Sequence, residues 1–145
     1  MKSSYVKALV IFAALVLLSL ASISTAFASS ATGHQNPDLT VTVSATSTNA
    51  NPDVVAVGDQ ETVTATVTND TSSKPTVTLI ANLTDPNGVT STLPTQQVTL
   101  AAHQTLSSSF TYTDESSFAT GVYTITFSAT DKHGTSSATT STTLI

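Results

Sequence analysis

Apolar and hydroxyl-bearing residues alternate with a two-residue period over most of the chain after residue 37. The stretch from Gly121 to Thr130 shows this best: one parity carries Tyr123, Ile125, Phe127 and Ala129, and the other is mostly threonine and serine. Successive side chains of a β-strand point to opposite faces, so this stretch predicts a strand with one packed and one hydrated face. No stretch after residue 28 shows a convincing helical period.

A turn follows this strand. Asp131 can bond the backbone of a tight turn with its side chain, and Gly134 can adopt a positive φ. The chain then returns through Thr-rich sequence towards Ile145. We therefore predict that residues 121–143 form a β-hairpin that closes the domain.

The same period predicts the other strands. They are Leu39 to Thr46, Glu61 to Thr68, Thr76 to Thr84, a stretch broken at Pro94 (Val89 to Leu93 and Gln96 to Ala101), and Thr105 to Thr113. Val54 to Val57 is a short candidate edge segment. Short alternating strands separated by turn signals are typical of an antiparallel sandwich. The predicted fold class is all-β: one immunoglobulin-like or fibronectin-III-like β-sandwich of about seven strands, spanning residues 38–145.

The first 28 residues have the layout of a secretory signal peptide. Lys2 and Lys7 precede an apolar run from Ala8 to Leu20, and Ala26-Phe27-Ala28 is a small-x-small cleavage site. We expect cleavage before Ser29, followed by a flexible leader over residues 29–37, and a secreted or cell-surface location. Two alternatives stay open, namely cleavage near Leu9, as in a prepilin, and retention of the segment as a membrane anchor.

The charge balance excludes some classes of partner. After removal of the signal peptide, Lys74 and Lys132 face all nine acidic residues, which gives a net charge of −7. Nucleic acids and anionic membranes need basic patches, so neither is an expected partner. The chain has no cysteine, which excludes thiol catalysis and Cys-ligated metals.

Three groups of residues resemble a known family. They are Val57-Gly58-Asp59-Gln60-Glu61-Thr62-Val63, Val67-Thr68-Asn69, and Gly121-Val122-Tyr123 with Ala129-Thr130-Asp131 and Gly134. The pattern resembles extracellular immunoglobulin-like domains of bacteria and archaea, particularly the CARDB (cell-adhesion-related) type. The resemblance implies a β-sandwich that serves as a spacer, adhesive module or surface-layer part. Such motifs are turn and strand patterns, and they specify fold more than function.

Phe118, Gly121 and Tyr123 also resemble a tyrosine corner, in which the tyrosine hydroxyl bonds back to the backbone at a corner of the sandwich. The alternative is a plain core tyrosine. Both interpretations are structural.

No catalytic constellation is evident. His34, His103 and His133 share no metal-ligand spacing, and none lies in a recognisable general-base context. We therefore predict no enzyme activity, no cofactor and no metal site built on histidine. Calcium at the loop acids stays open, with candidates at Asp53, Asp59 and Glu61 and at Asp114-Glu115.

Two sequons begin at Asn69 and Asn82. Asn69 is expected in a loop and Asn82 on the outward face of its strand. Both are therefore candidate N-glycosylation sites.

The leading functional hypothesis is a non-enzymatic structural or adhesive module that binds an extracellular protein or glycan through its loops or an edge strand. The alternative is a filament subunit. Such a subunit would self-associate through a retained N-terminal helix, or by donating a strand from the region of Gln35 to Val43 to a neighbouring sheet.

Overall fold

The computed structural model describes residues 31–33, 36–49 and 54–145 of the 145-residue chain. The expected signal peptide lies outside these residues, as do His34 and Asp53. The described residues form ten strands: β1 (Ala31–Gly33), β2 (Leu39–Ser47), β3 (Val54–Val55), β4 (Gln60–Asn69), β5 (Thr76–Thr84), β6 (Thr90–Thr92), β7 (Gln96–Thr99), β8 (Thr105–Thr113), β9 (Gly121–Asp131) and β10 (Gly134–Leu144). Within the described ranges, no helix is long and apolar enough to cross a membrane.

The strands form two sheets. The larger sheet has the order β1-β10-β9-β5-β6, with β7 also paired to β5 and β3 to β10; the smaller has the order β2-β4-β8. Strands β9 and β10 pair along their whole length, from Gly121 opposite Leu144 to Asp131 opposite Gly134. The predicted closing hairpin and the all-β class are therefore confirmed.

The core lies between the inward faces of the two sheets. The larger sheet contributes Tyr123, Ile125, Phe127 and Ala129 of β9, all buried, at the parity that the sequence predicts. The smaller sheet contributes alternate residues of β2 and β4. Burial of these faces supplies the main favourable free energy of folding.

Hydroxyl groups pair in register across the outward faces. On the larger sheet, the pairs between β9 and β10 are Thr130–Thr135 (2.7 Å), Ser128–Ser137 (2.9 Å), Thr126–Thr139 (3.0 Å) and Thr124–Ser141 (3.4 Å). We call these four pairs the hydroxyl ladder. The smaller sheet has equivalent pairs, such as Thr64–Ser109 at 2.6 Å. Cross-strand Thr pairs of this kind stabilise a sheet by about 0.2–1 kcal/mol each.

The prediction of about seven strands is wrong, because the described residues form ten. Strands β1 and β3 have three and two residues, too few to show a period, and β3 pairs in parallel with the end of β10. The stretch broken at Pro94 gives two strands, which pair with opposite ends of β5. Proline has no backbone N–H to donate to the ladder, so Pro94 interrupts this edge of the sheet and leaves two short strands.

The expected flexible leader also contributes to the fold. Ala31–Gly33 pairs with residues 137–139 of β10, and Asn36 is fully buried. The Ser136 hydroxyl lies 2.7 Å from the Leu39 carbonyl oxygen and 3.1 Å from that of Asn36. Contacts with β10 therefore place residues 31–33 and Asn36 in the fold, although the sequence there has no period. Residues 39–43, considered above for strand donation, pair with β4 of the same chain.

Tyr123 has the geometry of a tyrosine corner. Its side chain is fully buried, and its hydroxyl donates to the Ala119 carbonyl oxygen, four residues earlier, at 2.9 Å. Phe118 is part of the buried core, and Gly121 has a φ of +128°. The hydrogen bond fixes the connection before β9 to the start of that strand.

Gly121 allows a close approach to the β5–β6 turn, and its replacement should show this. A Cβ built at Gly121 would lie 2.7 Å from the Pro86 Cβ, whereas a Cβ at Gly88, which also has a positive φ, meets nothing within 4 Å. We expect Gly88→Ala to lower the free energy of unfolding by about 1–2 kcal/mol, the cost of a left-handed non-glycine residue. Gly121→Ala should cost at least about 1 kcal/mol more, because overpacking adds to that strain.

Urea unfolding of both variants measures the difference. Equal losses of stability in Gly121→Ala and Gly88→Ala would contradict the close approach to Pro86.

Candidate functional site

Three potential metal-ligating side chains meet where the β9–β10 turn contacts the segment before β2. Asp38 precedes β2, Asp131 ends β9, and His133 lies in the turn. Each offers one oxygen or nitrogen atom, and these atoms all lie within 4.8 Å of one another. Among the described residues, these three side chains form the group of potential metal ligands whose donor atoms lie this close together. We call it the Asp–Asp–His cluster.

Asp131 holds the turn in shape. Its Oδ1 accepts the backbone N–H of His133 at 2.7 Å, which is the bond predicted for an Asp at this position of a tight turn. The same oxygen accepts a second hydrogen bond, from Nδ2 of Asn36, at 2.7 Å. Only 2% of the Asp131 side chain is exposed. Its orientation is therefore fixed by the fold.

Asn36 ties the incoming segment to the turn. Its Nδ2 also donates to the Gly134 carbonyl oxygen at 3.1 Å, and its Oδ1 accepts the backbone N–H of Asp38 at 3.0 Å. All of these hydrogen bonds are partly buried. A polar atom left unpaired in such surroundings would cost about 1–3 kcal/mol of stability. Asn36 thereby sets the position from which the Asp38 side chain reaches the turn.

His133 closes the cluster from the solvent side. Its Nδ1 contacts Oδ2 of Asp38 and lies 3.7 Å from Oδ2 of Asp131. The side chain is 49% exposed, and that of Asp38 is 28% exposed. With a protonated imidazole the cluster is an ion pair; with a neutral imidazole it offers one nitrogen and two carboxylates to a cation.

No motif in the sequence predicts this convergence. A search for metal sites relies on ligands at short, regular spacings, whereas Asp38 and His133 are 95 residues apart. The packing of the segment before β2 on β10 brings them together. The one local signal was Asp131 at a turn position, where its Oδ1 accepts the His133 N–H.

Among the described residues, neither His103 nor the loop acids belong to the Asp–Asp–His cluster. His103 is exposed in the β7–β8 connection with a φ of +56°. Glu61, considered as a calcium ligand at a loop, is fully buried on the inward face of β4, and Asp114 is buried as well. Neither carboxylate is exposed at a loop, and calcium at the loop acids stays a prediction.

Asp59 stabilises the turn before β4. Its Oδ2 accepts the Ala56 N–H at 2.8 Å and the Asn49 Nδ2 at 3.0 Å. These hydrogen bonds lower the pKa of Asp59 below its ordinary value of 3.8, and the bond from Ala56 has the larger effect. Both partners favour the ionised carboxylate.

Asn69 is not in an accessible loop, which corrects the expectation from the sequence. It is the last residue of β4 and is fully buried. Its Nδ2 donates to the carbonyl oxygens of Ser73 and Ala101, both at 2.8 Å. A glycan on this nitrogen would replace one of its two donated hydrogens. Asn82 lies half-buried on the outward face of β5, and its glycosylation stays a prediction.

Replacement of Asn69 should cost much more than replacement of an exposed asparagine. Asn69→Ala leaves the two carbonyl groups without their donor, so we expect a loss of at least about 2 kcal/mol in the free energy of unfolding. Asn87→Ala, in the exposed β5–β6 turn, is the control and should change stability by less than about 0.5 kcal/mol. Chemical denaturation measures both; similar losses would contradict the role assigned to Asn69.

Asp59 should make stability depend on acid pH. Its pKa is lower in the folded than in the unfolded chain, so its contribution is complete above about pH 5, where the unfolded carboxyl is ionised, and is lost as pH falls through the folded pKa. The difference in unfolding free energy between the wild type and Asp59→Asn should therefore shrink between about pH 5 and pH 2. Asp70→Asn is the matched control; a constant difference for Asp59→Asn would contradict this role.

No protein-family model matches the chain, and a search of curated proteins found no match. Solved structures show the fold. A CARDB domain from Pyrococcus furiosus, solved in complex with di-metal ions, is 19% identical with a TM-score of 0.52, over 77% of this chain and 90% of that one.

The C-terminal domain of wzt is 9% identical with a TM-score of 0.52, over 80% of this chain and 78% of that one. Bacteroides uniformis beta-glucuronidase 2 is 16% identical with a TM-score of 0.52, over 70% of this chain but only 13% of the enzyme. The likeness to the CARDB domain extends over nearly all of that domain, whereas the likeness to the enzyme is confined to a small part of it. The chain therefore has a CARDB-like β-sandwich fold.

Proposed function

We propose that this protein is an extracellular, non-enzymatic module with a structural or adhesive role, and that it binds a surface glycan or protein through the hydroxyl ladder. The observation that carries the proposal is the unbroken row of hydroxyl pairs on the outward face of β9 and β10. The CARDB-like fold supports it.

The chemistry of this face suits a hydrated partner. A hydroxyl has one donor and two acceptor sites, so each pair that shares one hydrogen bond keeps capacity for further bonds. The pairs repeat at about 6.8 Å along the strands, since alternate residues face the same side. A polymer rich in hydroxyl groups can therefore make several hydrogen bonds to one face.

A binding assay on cell envelopes and purified surface polysaccharide of the source organism tests the proposal. The test variant Thr126→Val/Thr139→Val removes the hydroxyls of one pair and keeps the β-branched shape. The control variant Thr68→Val/Thr105→Val makes the same change, removal of one cross-strand pair, on the outward face of the smaller sheet. We expect binding by the wild type and the control, and at least about tenfold weaker binding by the test variant, equal to about 1.4 kcal/mol.

Two outcomes would contradict the proposal. One is the absence of binding by the wild type. The other is equal binding by all three proteins, each with a melting temperature that shows it to be folded.

N-terminal sequencing of the protein from its host separates this function from the filament alternative. We expect the mature chain to begin at Ser29. A start near Leu9 would mean that the apolar segment is retained, and would favour assembly into filaments.

A further inference from the structure

We propose that the Asp–Asp–His cluster binds a divalent transition-metal ion of the Zn²⁺ type. The ion would tie the segment before β2 to the β9–β10 turn. This site is independent of binding through the hydroxyl ladder, which lies on the outward face of the same hairpin.

One oxygen in the cluster is left for a ligand. Oδ1 of Asp131 accepts the hydrogen bonds from Asn36 and His133. Oδ2 accepts none from the described part of the chain, and its polar neighbour is His133 Nδ1, at 3.7 Å. This oxygen belongs to a side chain that is 98% buried and held in place, and it points to the other two ligand atoms. A cation between the three side chains could take Oδ2 as a ligand and leave the two hydrogen bonds that Oδ1 accepts intact.

The charge of the cluster also favours a divalent cation. Two carboxylates and a neutral imidazole together carry two negative charges. Lys132, next to both Asp131 and His133 in sequence, is exposed and makes no ion pair with the described residues. A bound divalent ion would balance the two carboxylates directly.

The donor set selects the class of metal. Imidazole nitrogen suits Zn²⁺ and similar ions, whereas Ca²⁺ and Mg²⁺ take oxygen ligands almost exclusively. Zn²⁺ binds His nitrogen and Asp oxygen at about 2.0–2.2 Å, so the three donors, now within 4.8 Å of one another, fit around one ion after small side-chain movements. The exposed side of His133 leaves room for water as a further ligand.

A metal-free ion pair between His133 and Asp38 is the competing interpretation. It accounts for their contact and, with a protonated imidazole, also for the 3.7 Å approach of Nδ1 to Oδ2 of Asp131. The two interpretations differ in their response to added metal, because an ion that binds the folded protein must raise its melting temperature.

Isothermal titration of the purified, EDTA-treated protein with ZnCl₂ tests the proposal. We expect the titration to show one Zn²⁺ per chain. Thermal denaturation should show a rise in melting temperature that EDTA reverses, with no comparable rise from CaCl₂. Asp38→Asn and His133→Gln should each weaken Zn²⁺ binding at least about tenfold, which corresponds to about 1.4 kcal/mol. His103→Gln is the matched control, since it removes an exposed turn histidine far from the cluster in sequence, and it should bind like the wild type.

NMR spectra of the wild type keep the test decisive if a variant fails to fold. Addition of Zn²⁺ should shift the imidazole resonances of His133 and leave those of His103 unchanged. Absence of Zn²⁺ binding, stabilisation by Ca²⁺ instead, or equal perturbation of both histidines would each overturn the proposal.

Discussion

The register of β9 between its two neighbours is the constraint on which the rest of the structure depends. This strand pairs with β10 along eleven residues and with β5 along seven. A slip by one residue would turn Tyr123 and Phe127 to solvent and the threonines to the core. The same register places the hydroxyl pairs opposite one another and puts Asp131 at the end of the hairpin. Core, outward face and cluster therefore share one geometric origin.

The long strands were predictable because their two faces differ in chemistry. In β2 and β9 the apolar parity is buried and the hydroxyl parity faces outward, so hydropathy alone reveals the period. In β10 it does not, since Thr140 and Thr142 are buried while Thr139 and Ser141 face outward. The orientation of that strand follows from its pairing with β9. Strands of two or three residues, such as β3, show no period at all.

The buried polar residues were the least predictable part. Asn36 and Asn69 lie in sequence that is polar and rich in turn formers, which typically indicates exposure. Both are fully buried, because each side chain satisfies backbone groups of another segment. The Asp–Asp–His cluster also depends on a buried asparagine, because Asn36 brings Asp38 to the turn that Asp131 shapes. These residues are far apart in sequence, so their contacts depend on the folded topology. No short motif predicts that topology.

The hydroxyl ladder also has a consequence for conformational entropy. Threonine is stiff about its χ1 angle, and each hydroxyl of the ladder is already bonded to a neighbour across the strands. Long charged side chains lose about 1.5–2 kcal/mol of rotamer freedom when a contact immobilises them. The ladder has little such freedom left to lose, because folding has already ordered it. Even weak individual hydrogen bonds on this face can therefore add up to useful affinity.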